Sequence, residues 1–332
     1  MTARRPRPPA RRQPDNHRPV IIAAVIVVVA VAIVLAWNIT HPSHPGAPAA
    51  TTISTPSVTP PVPVQPAHLG AADLVFGRYP VTKQWVVLRR GSRVLRTLVF
   101  APDLASGTVV PVIEFAHGYN LAPAAYSEML GAWASAGYLV VAPTSPGMAR
   151  GKQLTNELSA IKLQTADLAV VRQQIPSLAV AVAPDMHEVL LAGHSDGATV
   201  VKQIAFAGIP GNRQYSAYVL LAWGSTPSDL VNIAPNVAPV FIADSRDDQF
   251  HLWPYSLGLF AQARNPKVLV GIGLRQNHLQ PWTVSTPLDL SLWSAIVDFS
   301  TWSLTGSRSA RQRMERELAQ PGLIVRYGPP AK

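Results

Sequence analysis

From Val20 to Trp37 no polar residue interrupts the chain, whereas from His41 to Ala67 proline, threonine, serine and alanine dominate. Beyond Gly70 the pattern changes again, to short apolar runs alternating with stretches of helical spacing. Trp85 to Leu88 and Val94 to Phe100 flank a Gly91-Ser92 turn and predict an antiparallel hairpin. Six further runs suit parallel strands buried on both faces: Val109 to Ala116, Tyr138 to Ala142, Val189 to Ala192, Tyr218 to Ala222, Pro239 to Ala243 and Val268 to Ile272. Helical stretches separate most of them, over Ala124 to Ala136, Asn156 to Ile175 and Asp196 to Ala207, and Pro287 to Trp302 follows the last. Such alternation predicts an α/β fold, a mostly parallel twisted sheet with helices on both faces.

The first apolar run holds eighteen residues, which at roughly 1.5 Å each nearly cross a hydrocarbon core of about 30 Å. Six arginines precede it against Asp15 alone, a balance of +5 that places this end in the cytoplasm and the remainder outside. A cleaved signal peptide is the alternative, but the run is long for that role and no small-x-small site follows Ala36. The repeated prolines after it predict an extended spacer. The chain thus divides into a basic tail (1–19), a transmembrane signal-anchor (20–37), a Pro/Thr/Ser-rich linker (38–69), a folded domain (70–306) and a C-terminal tail (307–332). Sequence leaves open whether that last segment packs on the domain.

Composition narrows the chemistry. Of 332 residues 48% are hydrophobic and none is cysteine, so disulfides, thiolate metal sites and a cysteine nucleophile are excluded. The formal charge is +10, half of it in the tail, and no basic stretch interleaved with aromatics suggests nucleic-acid binding. No cluster has metal-ligand spacing, so no metal or cofactor is expected.

The strand at Glu188 to Ala192 runs into Gly193-His194-Ser195-Asp196-Gly197, and a helical stretch follows. A serine on a strained strand-to-helix turn projects its hydroxyl into the cleft, and side chains at the flanking glycines would strike neighbouring elements. The N–H of Asp196 opens the helix and can point at a developing oxyanion. An ordinary turn with a capping serine is the bland alternative, and the apolar strand before the motif weighs against it.

A serine hydroxyl needs a base, and histidine serves near neutral pH. Of nine histidines, His17, His41, His44 and His68 lie in the tail or spacer. His117, His187 and His194 precede Ser195, and the elbow fold orders its groups Ser, then Asp or Glu, then His. His251 and His278 remain. His278 follows the Val268 to Ile272 strand in a loop, where strand ends present reactive groups, whereas His251 lies too near the acids to come from a separate strand end. The loop after Ala243 offers Asp244, Asp247 and Asp248 as the acid, and no glutamate lies between Ser195 and His278.

Phe115-Ala116-His117-Gly118-Tyr119, Ala134 to Pro143, Gly193 to Gly197 and Pro239 to Phe250 together resemble the α/β-hydrolase superfamily of serine esterases. They are most similar to the branch holding cutinase-like polyester hydrolases, dienelactone-hydrolase-like proteins, chlorophyllase-like proteins and platelet-activating-factor acetylhydrolases. The resemblance covers roughly Gly70 to Ser303 and implies an α/β-hydrolase fold. Its acid loop, a strand followed by Gly-x-x-Asp, fits Ser245 to Asp248 with serine for glycine and selects Asp248; a one-residue slip would exchange it for Asp247. It also implies that the backbone N–H groups of Tyr119 and Asp196 form the oxyanion hole. Asp196 departs from the Met, Gln or Leu often found after the nucleophile, and Ala198 stands where another glycine is frequent. Only Trp223 to Ala238 separates two strands where capped members insert a lid, so little or no cap is expected. Trp223 and Trp253 are candidates for lining the cleft.

The expected function is a membrane-anchored, extracytoplasmic serine hydrolase that cleaves carboxylic esters, lipid or polymeric ones favoured, with Ser195, Asp248 and His278 as its triad. Its partners would be the ester substrate and, through the anchor, the plasma membrane; signal cleavage would instead yield a secreted protein. An acyltransferase to a cell-envelope acceptor shares the acyl-enzyme, and a tethered binding module on a hydrolase scaffold is the reading from another class.

Overall fold

The computed structural model describes residues 67–328, apart from 154–155, 207–214, 224–237, 265 and 274–276. The expected basic tail and anchor and nearly all of the linker lie outside the described residues, as does most of the stretch from which an uncapped cleft is expected. No helix among the described residues is long and apolar enough to cross a membrane.

Nine strands form one sheet among the described residues: β1 (Val81–Arg90), β2 (Arg93–Pro102), β3 (Val109–Ala116), β4 (Leu139–Pro143), β5 (Ala183–His194), β6 (Ala217–Leu221), β7 (Val240–Ser245), β8 (Lys267–Ile272) and β9 (Leu323–Tyr327). Their order is β1-β2-β4-β3-β5-β6-β7-β8-β9. The six strands from β4 to β8 run parallel, and antiparallel pairs close both edges. This is the α/β-hydrolase fold expected from the alternation of apolar and helical stretches.

The strands read as unbroken apolar runs because both faces are covered. In β3, Ile113 and Phe115 join a core with helices α1 (Ser127–Ser135) and α6 (Pro287–Thr305). Val110 and Val112 join the opposite core with α2 (Glu157–Gln174), α3 (Asp196–Phe206) and α4 (Trp253–Gln262). Period-2 alternation sends successive side chains to opposite faces. Asn156 caps α2 by accepting from the N–H of Ser159 at 2.8 Å, and Thr286 and Asp289 form a capping box on α6.

Two corrections follow. The segment from Ser307, set apart as a tail, forms helix α7 (Arg308–Glu317) and the edge strand β9, so the sheet domain continues to Tyr327. Its charged sequence hid a narrow apolar stripe: Ala310, Met314 and Leu318 are fully buried, and Arg313 pairs with Asp298 of α6 at 2.6 Å. Helix α4 and the single turn α5 (Gln280–Thr283) were not anticipated, because their residues carry no clear 3.6 period.

Candidate active site

The chain passes from β3 to β4 on one side, then returns to place β5 beside β3 on the other. That reversal opens a crevice at the carboxyl ends of β3 and β5, where open α/β sheets place ligands. Ser195 stands there between β5 and α3 with φ +57°. A non-glycine residue in the left-handed region is strained. The surroundings over-determine it: its N–H donates to Leu221 O at 3.0 Å and its carbonyl accepts from Thr199 N at 3.0 Å. The flanking glycines are required sterically. A Cβ on Gly197 would meet Ala116 O at 2.1 Å, and one on Gly193 would meet Gly197 O at 2.4 Å.

His278 lies in the loop after β8, with Nε2 at 2.9 Å from Ser195 Oγ and Nδ1 at 2.6 Å from Asp248 Oδ2. Asp248, not Asp247, faces the imidazole. Its side chain is fully buried and its other oxygen accepts from the N–H groups of Phe250 and His251. Burial alone would raise its pKa, but the hydrogen bond and charge of His278, with the Phe250 N–H, outweigh that and hold it below the ordinary value. Asp247 is exposed. Asp244, the third candidate, is buried one turn earlier, where it accepts from Trp223 N and from the Ser256 hydroxyl and braces the ends of β6 and β7. Burial pushes it up to about 7, against those two hydrogen bonds.

The oxyanion candidates come from two elements. Asp196 is the first residue of α3, where the helix offers its N–H no acceptor. Tyr119 follows the loop after β3, and Gly118 packs so closely that a Cβ there would lie 2.9 Å from Ser195 Cβ. The peptide plane between Gly118 and Tyr119 is held by His117. Its Nε2 accepts from Ser145 N at 2.9 Å, so Nδ1 carries the proton and donates to Gly118 O at 2.8 Å. Because the peptide is planar, fixing that carbonyl fixes the Tyr119 N–H on its far side. Burial lowers the His117 pKa to about 4, which keeps it neutral.

A cleft of about 590 Å³ opens above Ser195, walled by Tyr119, Leu121, Phe250 and Leu279 and bordered by Asn120, Asn277 and Gln249. Of the sequence candidates for its wall, Trp223 is instead a core residue and Trp253 is half-buried against the core. Trp223 is buried, and Trp253 packs on β8 where a Cβ on Gly271 would strike its ring at 2.8 Å. Trp223 lies just beyond β6 in the core on the α2, α3 and α4 side, and Trp253 opens helix α4 against β8.

Sequence reasoning gave three groups no part in the site, His251 having been set aside as a base. Phe250 lies edge-on to the His278 ring at 5.3 Å, and His251 packs beside it at a tilt, 4.6 Å away. Burial first, and then the His278 charge, lower His251 to about 4. Glu157, from the first turn of α2, joins Asp196 on the wall. Asp196 therefore faces the cleft; burial, then Glu157, push it up to about 6 while His278 opposes. No short sequence pattern joins residues 157 and 196, so only the packing of α2 beside α3 revealed that pair.

Among the described residues no group of His, Cys, Asp and Glu has metal-binding geometry. The sequence model of the chlorophyllase family matches residues 75–239. The match takes in the His117-Gly118 loop and the Ser195 elbow and ends before Asp248 and His278. No curated protein matches the chain.

Proposed function

We propose, from the premise that this chain is an α/β hydrolase, that it is a serine hydrolase cleaving carboxylic esters through Ser195, His278 and Asp248. One observation carries the reading: the unbroken line from Ser195 Oγ to His278 Nε2 (2.9 Å) and from His278 Nδ1 to Asp248 Oδ2 (2.6 Å). Similarity to the chlorophyllase family supports a serine ester hydrolase.

Ser195 Oγ attacks the acyl carbon while His278 Nε2 takes its proton. Asp248, held ionised, keeps the imidazole in the tautomer with Nδ1 protonated and stabilises the imidazolium. The carbonyl oxygen becomes an oxyanion facing the N–H groups of Tyr119 and Asp196, each fixed before reaction, so little reorganisation is needed. His278 then protonates the leaving alkoxide. Water attacks the acyl-enzyme by the same route and releases the acid. The apolar walls at Leu121, Phe250 and Leu279 favour lipid or polymeric esters. The apolar run Val20 to Trp37 supports a single-pass anchor in the plasma membrane with the enzyme outside.

The test is p-nitrophenyl ester hydrolysis across acyl lengths by the full chain in detergent, beside Ser195→Ala and with a fluorophosphonate probe. Turnover and labelling are expected, both lost in the variant. Hydrolysis retained by Ser195→Ala overturns the assignment. Labelling without turnover points to an acyltransferase that lacks its acceptor. Carbonate-resistant recovery in the membrane fraction tests the anchor; release of the full chain would sink it.

A further inference from the structure

Gly118, in the loop proposed to carry an oxyanion donor, and His278, the proposed base, follow strands β3 and β8, which β5, β6 and β7 separate in the sheet. A single hydrogen-bond line joins them. Gly118 N lies 3.2 Å from the Tyr126 hydroxyl, that oxygen lies 2.8 Å from His194 Nδ1, and His194 Nε2 lies 2.9 Å from the backbone carbonyl of His278. Tyr126 and His194 are fully buried.

The two ends dictate the direction of every bond. A peptide N–H only donates and a carbonyl only accepts. The His278 carbonyl therefore requires the proton of His194 on Nε2. A neutral ring then has a bare Nδ1, which must accept the Tyr126 proton, leaving the tyrosine oxygen to accept from Gly118. One arrangement satisfies all four groups; a protonated imidazole would have to turn Nδ1 into a donor and displace the tyrosine proton. Burial, with the charge of His278, lowers His194 to about 3 and keeps it neutral at working pH. The rings also pack against one another at a tilt, with centroids 5.4 Å apart for Tyr126 and His194 and 4.8 Å for His194 and His278. Among the described residues of the loop carrying His278, the Asn277 side chain accepts from the N–H groups of Leu279 and Gln280.

We propose that Tyr126 and His194 are positioning residues for ester hydrolysis, a one-directional hydrogen-bond line that sets the backbone of the base against the oxyanion loop so that the two halves of the site keep register. Neither touches the reacting atoms. The inference rests on the ester-hydrolase reading above, and it explains why a histidine stands beside the nucleophile where an apolar side chain would fill the same core.

The test uses the full chain in detergent. Tyr126→Phe removes one oxygen atom. His194→Gln keeps an N–H able to reach the His278 carbonyl, whereas His194→Leu keeps only volume. Tyr126→Phe and His194→Leu are expected to lower kcat about tenfold or more while KM moves less than about threefold, as for contacts that matter in the transition state. His194→Gln is expected to recover most of that loss. A packing role alone would put Leu level with Gln, and that result, or wild-type kcat in Tyr126→Phe, overturns the proposal. Should both His194 variants fail to fold, Tyr126→Phe decides. Absence of Ser195-dependent turnover in the wild type would overturn the esterase reading instead. The line is then read by ¹⁵N-histidine NMR of the full chain: an Nε2-protonated His194 tautomer down to pH 5, whose Nδ1 resonance shifts to that of a nitrogen without a donor in Tyr126→Phe, supports it, and an Nδ1-protonated ring refutes it.

Discussion

Asp248 Oδ2 lies 2.6 Å from His278 Nδ1, while the adjacent Asp247 is exposed to solvent. Two neighbouring carboxylates thus occupy unlike environments, and only one can orient an imidazole. Asp248→Asn is expected to lower kcat by about 10²- to 10⁴-fold, because an amide in place of the carboxylate favours the wrong histidine tautomer. Asp247→Asn should stay within about twofold of the wild type. Parallel kcat measurements decide; a larger loss in the Asp247 variant would exchange the two roles.

Asp196 carries a charge that burial resists, and its pKa is pushed up to about 6. The native state therefore holds more protons than the unfolded chain between the ordinary value of 3.8 and about 6. A penalty builds as pH rises through that window and is complete above it. Asp196→Asn should stabilise the protein by ~1–2 kcal/mol at pH 7, with the gain shrinking as pH falls toward 4. Urea denaturation at both pH values reads this out. A gain independent of pH would show that the carboxylate is not the cause.

The same wall holds Glu157 and Asp196, and among the described residues no lysine or arginine lines the cleft. An ester with an anionic group near the scissile bond should be a poorer substrate than its neutral isostere by about tenfold, and Glu157→Gln should narrow the gap. Steady-state kcat/KM for a matched neutral and anionic ester pair measures it. Equal rates on the two esters in the wild type would remove the electrostatic argument.

Glycines near the elbow are not equivalent. A Cβ on Gly197 would lie 2.1 Å from Ala116 O, a backbone atom that cannot step aside, whereas one on Gly147 would meet nothing within 4 Å. Gly197→Ala should cost more than about 3 kcal/mol or prevent folding. Gly147→Ala should change stability by less than about 0.5 kcal/mol. Thermal melts of both variants compare them directly.

Deleting residues 307–332 should be costly. It strips the buried Met314 and Leu318 from the core, leaves Asp298 without Arg313 and bares the β8 edge. A Tm lower by about 10 °C or more, or insoluble protein, is expected. Unchanged melting would mean that α7 and β9 add nothing to the domain.

What the sequence determined by itself was whatever rests on local pattern. Runs such as Val109 to Ala116 predicted strands covered on both faces, and Gly193 to Gly197 after an apolar strand predicted a tight strand-to-helix turn. Chain order then left His251 and His278, of which only His278 follows a separate strand end, and a short run of aspartates. What tertiary structure decided was whatever depends on direction and on neighbours distant in sequence. Whether Asp247 or Asp248 points inward depends on how the loop after β7 turns, and one residue reverses it. Trp223 and Trp253 went to the core because their surfaces found apolar partners there. Whether the segment of helix α7 packs on the domain stayed open in the sequence because its stripe of Ala310, Met314 and Leu318 is narrow, and only α6 beside it makes that stripe a reason to fold. Tyr126 and His194 lie 68 residues apart. Hydrogen-bond direction is a property of atoms brought together, and no linear pattern encodes it.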